Sequence, residues 1–100
     1  MKFAFHPEAL AELEEAARHY AAIQPELARR FIGSIEAAID RLATRPLGCA
    51  ILDQDVRRCL TRVFPYAVLY TVEDDYVLTV AVMHCHRKPG YWHRRVTPKA

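Results

Sequence analysis

Glycine is scarce: this chain of 100 residues contains three. Gly33, Gly48 and Gly90 stand far apart, so neither a dinucleotide-binding glycine fingerprint nor a Walker loop can be present, because each crowds its glycines into one tight turn. The nucleophile elbow G-x-S-x-G is missing as well. No apolar run approaches the roughly 20 residues that span a bilayer as a helix, which excludes a transmembrane segment and argues against a membrane partner. The N-terminal stretch MKFAFHPEAL becomes acidic and helical by Glu8, without the apolar core of a signal peptide, so a cytoplasmic location is expected. Cysteine is sparse and odd in number, at Cys49, Cys59 and Cys85. That count and spacing suit reduced thiols rather than a disulfide framework or a zinc knuckle.

Acidic residues are absent from Cys85 to the end, where Arg87, Lys88, Arg94, Arg95 and Lys99 accumulate. Arg57, Arg58 and Arg62 form a second basic set, whereas Glu8, Glu12, Glu14 and Glu15 crowd the first helical stretch. The net charge of +2 therefore hides an asymmetry. A basic C-terminal half points to an anionic partner, either nucleic acid or an acidic protein, unless it is simply a solvated face. In size and composition, 52% hydrophobic and 26% charged, the chain is one globular domain over residues 1–100.

The pattern along the chain predicts an α+β fold. KFAF at 2–5 is a strand candidate. Pro7 opens a helix to about Ile23, since a proline N–H is not missed at the first helical position, and Leu10, Leu13, Ala16, Ala17, Tyr20 and Ala21 form its apolar stripe. Pro25 opens a second helix to about Thr44, with a stripe of Leu27, Phe31, Ile35, Ala38, Ile39 and Leu42. Pro46 and Gly48 end the helical half, and a loop follows. Three strands come next, at 56–64, 65–73 and 76–85, with Glu73-Asp74-Asp75 turning between the last two. In the middle strand Tyr66, Val68, Tyr70 and Val72 share a face, and the last is apolar on both, as for an interior strand. The expected architecture is a helical hairpin packed on a mostly antiparallel four-stranded sheet, in the order β-α-α-β-β-β, with a short basic tail.

The segment MHCHRKPGYWHRR, residues 83–95, concentrates the chemistry. His84 and His86 are two apart and would share a strand face, and a metal site could recruit Cys59 or His93. The spacings of structural zinc sites are missing, so no metal or other cofactor is assigned. Cys85 lies between the two histidines but would face the opposite way from both, which argues against a thiol nucleophile. Cleavage of RNA through its 2′-hydroxyl needs a base, an acid and cations around the phosphorane, and no metal. His84, His86, Arg87, Lys88 and Tyr91 supply those types, with Tyr91 or Trp92 able to stack on a base. The bland alternative is that Tyr91 and Trp92 pack the tail onto the sheet, and it is the favoured role.

The stretches FHPEALAELEEAARHYAAIQPELARRFIGSIEAAIDRLATRP and VRRCLTRVFPYAVLYTVEDDYVLTVAVMHCHRKPGYWHRR, in this order, resemble the RelE/ParE superfamily of bacterial type II toxins over roughly residues 3 to 95. The resemblance implies a small toxin neutralised by a cognate antitoxin encoded by an adjacent gene. RelE-like members cut mRNA on the ribosome as metal-independent endoribonucleases, while ParE-like members inhibit DNA gyrase by binding. RelE-like sequences carry an arginine after the aromatic that starts the penultimate strand; here PYAVLY places Ala67 there. The ParE-like reading is therefore preferred, with no catalytic residues. Arg58, Arg62, Arg87, Lys88, Tyr91, Trp92, Arg94 and Arg95 are the candidates for contact with target or antitoxin. The ribosome with mRNA is the alternative partner, and a homodimer stays open. Within the basic set Arg58 is expected beside Arg87 and Lys88, and at least one arginine is expected to be held by Glu12, Glu15 or Asp55, with Arg57 the structural one.

Overall fold

In a computed structural model that describes residues 2–96, the elements are β1 (Lys2–Phe5), α1 (Pro7–Ile23), α2 (Pro25–Thr44), β2 (Ile51–Asp53), β3 (Val56–Leu60), β4 (Tyr66–Val72), β5 (Tyr76–His84) and a single 3-10 turn at His93–Arg95. Lys99 of the basic tail lies outside the described residues. Helix α1 begins where His6, in extended backbone, turns its Nδ1 to accept the Glu8 N–H at 3.1 Å, and Pro7 follows at the first position. Gln24 then separates the helices. A residue before proline is confined to extended backbone, and Gln24 has φ −164° and ψ 128°, so Pro25 both ends α1 and starts α2.

The sheet has five strands, not four, in the order β1-β5-β4-β3-β2. The additional strand is β2, three exposed residues turned back onto β3 through Gln54, which adopts φ +53°. Too short for alternation to register, and turned without a glycine, it carries no sequence signal of the usual kind. β1 runs parallel to β5 and the remaining pairs are antiparallel. The strand expected at 56–64 stops at Leu60, because the chain bends into a loop at Thr61–Pro65 in which Val63 takes φ +74°.

Both faces of the sheet are covered. On one, Phe31, Ile35, Ala38, Ile39 and Leu42 of α2, with Ala16 of α1, pack against Cys59, Val68, Tyr70, Val77 and Val82. The α2 stripe thus faces the sheet as its spacing predicts. In α1, Leu13, Ala16, Ala17 and Tyr20 of the expected stripe pack against this core, whereas Leu10 and Ala21 at its ends are exposed and Ala9 is buried. On the other face, Val56, Ala67, Leu69, Val80, Ala81 and Met83 form a second cluster capped by Trp92. That covering layer is the basic tail.

Candidate functional site

The tail leaves β5 at Cys85 and is tied back by carboxylates, with Glu12 at the centre. Beyond Thr79, β5 has outrun its parallel partner β1, so its edge N–H and C=O groups need other partners. Glu12 of α1 accepts the Val82 N–H at 3.1 Å, and Arg95 donates to the Val80 carbonyl at 3.2 Å. The two side chains also join each other in a two-pronged pair, Nη1 to Oε1 at 2.8 Å and Nη2 to Oε2 at 3.2 Å. Arg95 is 4% exposed and Glu12 16%. The Tyr91 hydroxyl donates to Glu12 Oε2 at 2.6 Å, while the Arg87 and Arg95 guanidiniums lie over its ring at 4.2 and 5.0 Å. Burial, and then the hydrogen bond to Glu12, push the Tyr91 phenol well above its ordinary range. Glu8 holds Arg94 at 2.7 Å, and the Arg94 hydrogen bond keeps its carboxyl below the usual glutamate value despite opposing desolvation.

Further along, Gly90 has φ +77°, and a Cβ there would stand 2.7 Å from the His93 ring. Glycine is thus required on two counts. It lets His93 settle with Nε2 2.7 Å from Asp53 Oδ2, which joins the tail to β2. Trp92, between these ties, is 1% exposed. It fills the core under the tail, the packing role favoured from the sequence, and this corrects its place among the contact candidates. Arg95 is corrected likewise, since its side chain is buried and both terminal nitrogens are spent on Glu12 and the β5 edge.

Two grooves flank Arg87. One, of about 310 Å³, lies between α1 and the β5 edge and is lined by Glu15, His19, Tyr66, His84, Arg87 and Tyr91, with Glu12 at its wall. The other, of about 390 Å³, opens on the tail side of the sheet and brings Arg58 together with Arg87, beside Asp53, Cys85, Trp92 and His93. Lys88 is exposed and lines neither. His86 lies past the end of β5 in a turn, not on the strand, and its N–H donates to His84 Nδ1 at 3.1 Å. Arg57 is held as a structural residue, though by carbonyls and not by a carboxylate: it donates to Cys49 at 2.7 Å and Leu47 at 3.2 Å. Arg62 does not join Arg58. The bend after Leu60 carries it to α2, where it lines a separate hollow with Arg30 and Arg41.

This arrangement bears on the chemistry in three ways. Ala67 is fully buried in the Trp92 cluster, so its position faces a packed interior where a phosphate would not reach. Tyr91, with its proton committed to Glu12, is poorly placed as a base. Cys59, considered as a metal ligand, is buried in the helix-side core, its thiol pushed up first by burial and then by neighbouring Cys49. Among the described residues no group of three or more His, Cys, Asp and Glu side chains is placed to hold a metal ion.

Residues 3–89 match the family model of the ParE toxin of type II toxin-antitoxin systems, parDE. The chain belongs to the ParE toxin family. Among solved structures, a chain of the chromosomal ParDE toxin-antitoxin system from P. aeruginosa superposes with a TM-score of 0.71 at 19% identity, covering 84% of this chain and 95% of that one. At that identity the likeness is one of fold. No match is found among curated proteins. The ParE match ends at Pro89, so the locking residues Tyr91, Trp92 and Arg95 lie beyond it. Glu12 was the informative residue that sequence reading used only in passing. The signal was there: Glu8 and Glu12 stand one helical turn apart, opposite adjacent Arg94 and Arg95.

Proposed function

We propose that this ParE-family chain is the toxin of a type II toxin-antitoxin pair, that it inhibits DNA gyrase by binding, and that an acidic antitoxin encoded by the neighbouring gene neutralises it. The observation that carries the reading is the groove on the tail side of the sheet. There Arg58 and Arg87, from distant parts of the chain, converge on one concave surface, while the arginine position of the nuclease relatives is an alanine sealed under Trp92. Guanidiniums without a carboxylate partner, Arg58 on β3 and Arg87 in the turn after β5, recognise carboxylates by paired hydrogen bonds. A partner segment that is acidic and partly disordered would fold onto such a surface, its charges steering encounter. No helix among the described residues is long and apolar enough to cross a membrane.

The α1-side groove supports the second reading, ribonuclease action, since His84, His19 and Arg87 line it together. One comparison separates the two. Purified protein is added to gyrase supercoiling of plasmid and, separately, to translating ribosomes followed by mapping of mRNA ends. Lost supercoiling with intact mRNA is the expected result. Cuts in the ribosomal A site with normal supercoiling would replace the binding mechanism with the nuclease one.

A further inference from the structure

A third surface lies away from both grooves. Arg30, Ser34, Ala37 and Arg41 line one hollow of about 150 Å³ with Arg62, Val63 and Phe64. The α2 residues are spaced four, three and four apart, which places them in one row along the helix. At about 1.5 Å per residue, Arg30 and Arg41 stand roughly 16 Å apart along the axis, with Arg62 facing them from the loop. No acidic residue lines the hollow. Arg41 is anchored by a 2.8 Å hydrogen bond to the Leu60 carbonyl, and no carboxylate is paired with Arg30 or Arg62 among the described residues.

The loop is built to hold an apolar side chain outward. Val63 has φ +74° at the centre of a three-residue γ-turn closed by the Phe64 N–H on the Arg62 carbonyl, a strained conformation for a β-branched residue, and it is 85% exposed. Such a residue persists only when its surroundings enforce it. Here they do. Ser34 Oγ donates to the Arg62 carbonyl at 3.0 Å, the Phe64 N–H donates to the same carbonyl at 2.9 Å, and the Thr61 hydroxyl shares its one proton between the Phe64 and Tyr66 carbonyls, each 3.0 Å away. The Phe64 ring is set between Tyr20 and Phe31, at 5.1 and 5.4 Å. Strain, exposure and three converging cations thus coincide at one place.

We infer that this hollow is a docking site for an acidic protein segment carrying an apolar residue, with Val63 and Phe64 meeting the apolar side chain and Arg30, Arg41 and Arg62 meeting flanking carboxylates. A nucleic-acid backbone would satisfy the cations but leave the valine uncovered, which favours a peptide. About five extended residues span the row of arginines. Assigning the segment to the antitoxin rests on the reading proposed above; the chemistry of the site does not.

The test is an amide NMR titration of the whole protein with a short synthetic peptide alternating glutamate and aspartate around two leucines. The comparison ligands are its lysine counterpart and an oligothymidylate of equal charge. Shifts confined to Ser34, Ala37 and residues 61–64, seen with the acidic peptide alone, are expected. Arg30→Glu with Arg62→Glu should weaken that binding by about tenfold or more at unchanged Tm. Val63→Asn tolerates a positive φ better than a β-branched residue and removes the apolar contact, so it should hold Tm while weakening the peptide. The inference is overturned if the oligothymidylate gives the same footprint, if the shifts fall at Arg58 and Arg87, or if Val63→Asn lowers Tm and leaves binding intact. A protein that spares gyrase but shows the expected footprint defeats the gyrase reading alone.

Discussion

Arg95 and Arg58 look alike in the sequence, each one of a pair of adjacent arginines in a basic stretch, and the fold assigns them opposite work. Arg95 is enclosed, spending its donors on Glu12 and on the unpaired edge of β5. Arg58 is exposed in a groove shared with Arg87. The difference lies in what each faces. Arg94 and Arg95 return to the N-terminal turns of α1, where Glu8 and Glu12 wait one turn apart, so much of the charge asymmetry between the ends of the chain is cancelled within the molecule. Arg58 faces no described carboxylate within ion-pair reach. Charge counting alone would have assigned both sets to an external partner.

If the tail is scaffold, its lock should be the most sensitive part of the molecule. Arg95→Ala strands the Glu12 carboxylate in a mostly buried position and frees the Val80 carbonyl. A broken buried pair costs about 3–5 kcal/mol, a large share of the stability of a domain this size, and thermal melts should show a Tm drop of more than ten degrees or no folded protein. Changing Glu12 and Arg95 together to leucine should cost less than the sum of the single changes, because no charge is then left alone. Additive losses would show that the pair is not coupled. Trp92→Ala belongs to the same class, at about 3–5 kcal/mol by cavity formation, and denaturant unfolding would measure it.

Tyr91→Phe should be milder, about 1.5–3 kcal/mol for a lost hydrogen bond to a charged group. It also has a signature in pH. The folded phenol titrates above its unfolded value, so its contribution is present below the unfolded tyrosine pKa and is lost as pH rises through the folded one. The difference between wild type and Tyr91→Phe should therefore shrink on the alkaline side in a series of melts. A gap that widens with pH would reverse the assigned sign.

Much of this fold was legible before the structure. Pro7 and Pro25 mark both helix starts, and the α2 stripe from Phe31 to Leu42 specifies which face is buried, because helical spacing and burial are locally encoded. What escaped was non-local. β2 is a strand only because β3 offers it an edge. The bend at Val63, which sends Arg62 to α2, is imposed by Ser34 and Thr61 on a residue whose own preference opposes it. The candidate site divided the same way. Residue types at 83–95 declared a basic, histidine-rich segment, but its split into lock and groove depends on Glu12, about 80 residues away in the chain and adjacent in space.

The Glu8–Arg94 pair should matter less than Tyr91, since exposed ion pairs are screened by water and salt. Glu8 has its pKa lowered by the Arg94 hydrogen bond. Its small contribution is thus present above the unfolded glutamate value and fades as pH falls through the folded one. Arg94→Ala should match wild type in acid and separate slightly near neutrality, with the separation vanishing at high salt. A gap that survives high salt would place Arg94 with Arg95 in the lock.

Arg58→Glu completes the comparison, with the smallest expected effect on stability and the largest on function. Its side chain is exposed, lining the groove beside Trp92 without a hydrogen bond or ion pair among the described residues, so the change should stay within about 0.5 kcal/mol of wild type. Arg87→Glu should cost slightly more, because Arg87 lies over the Tyr91 ring and an exposed cation–π contact is worth about 0.5–1 kcal/mol. Both should abolish toxicity in cells while circular dichroism and Tm stay near wild type. Arg57→Ala, one residue away and facing the opposite side of β3, should do the reverse: lower Tm through its lost carbonyl contacts while the surviving folded protein remains toxic. Should Arg58→Glu unfold the protein, or leave toxicity untouched, the groove would lose its claim as the working surface, and the basic residues of β3 would join those of the tail as scaffold.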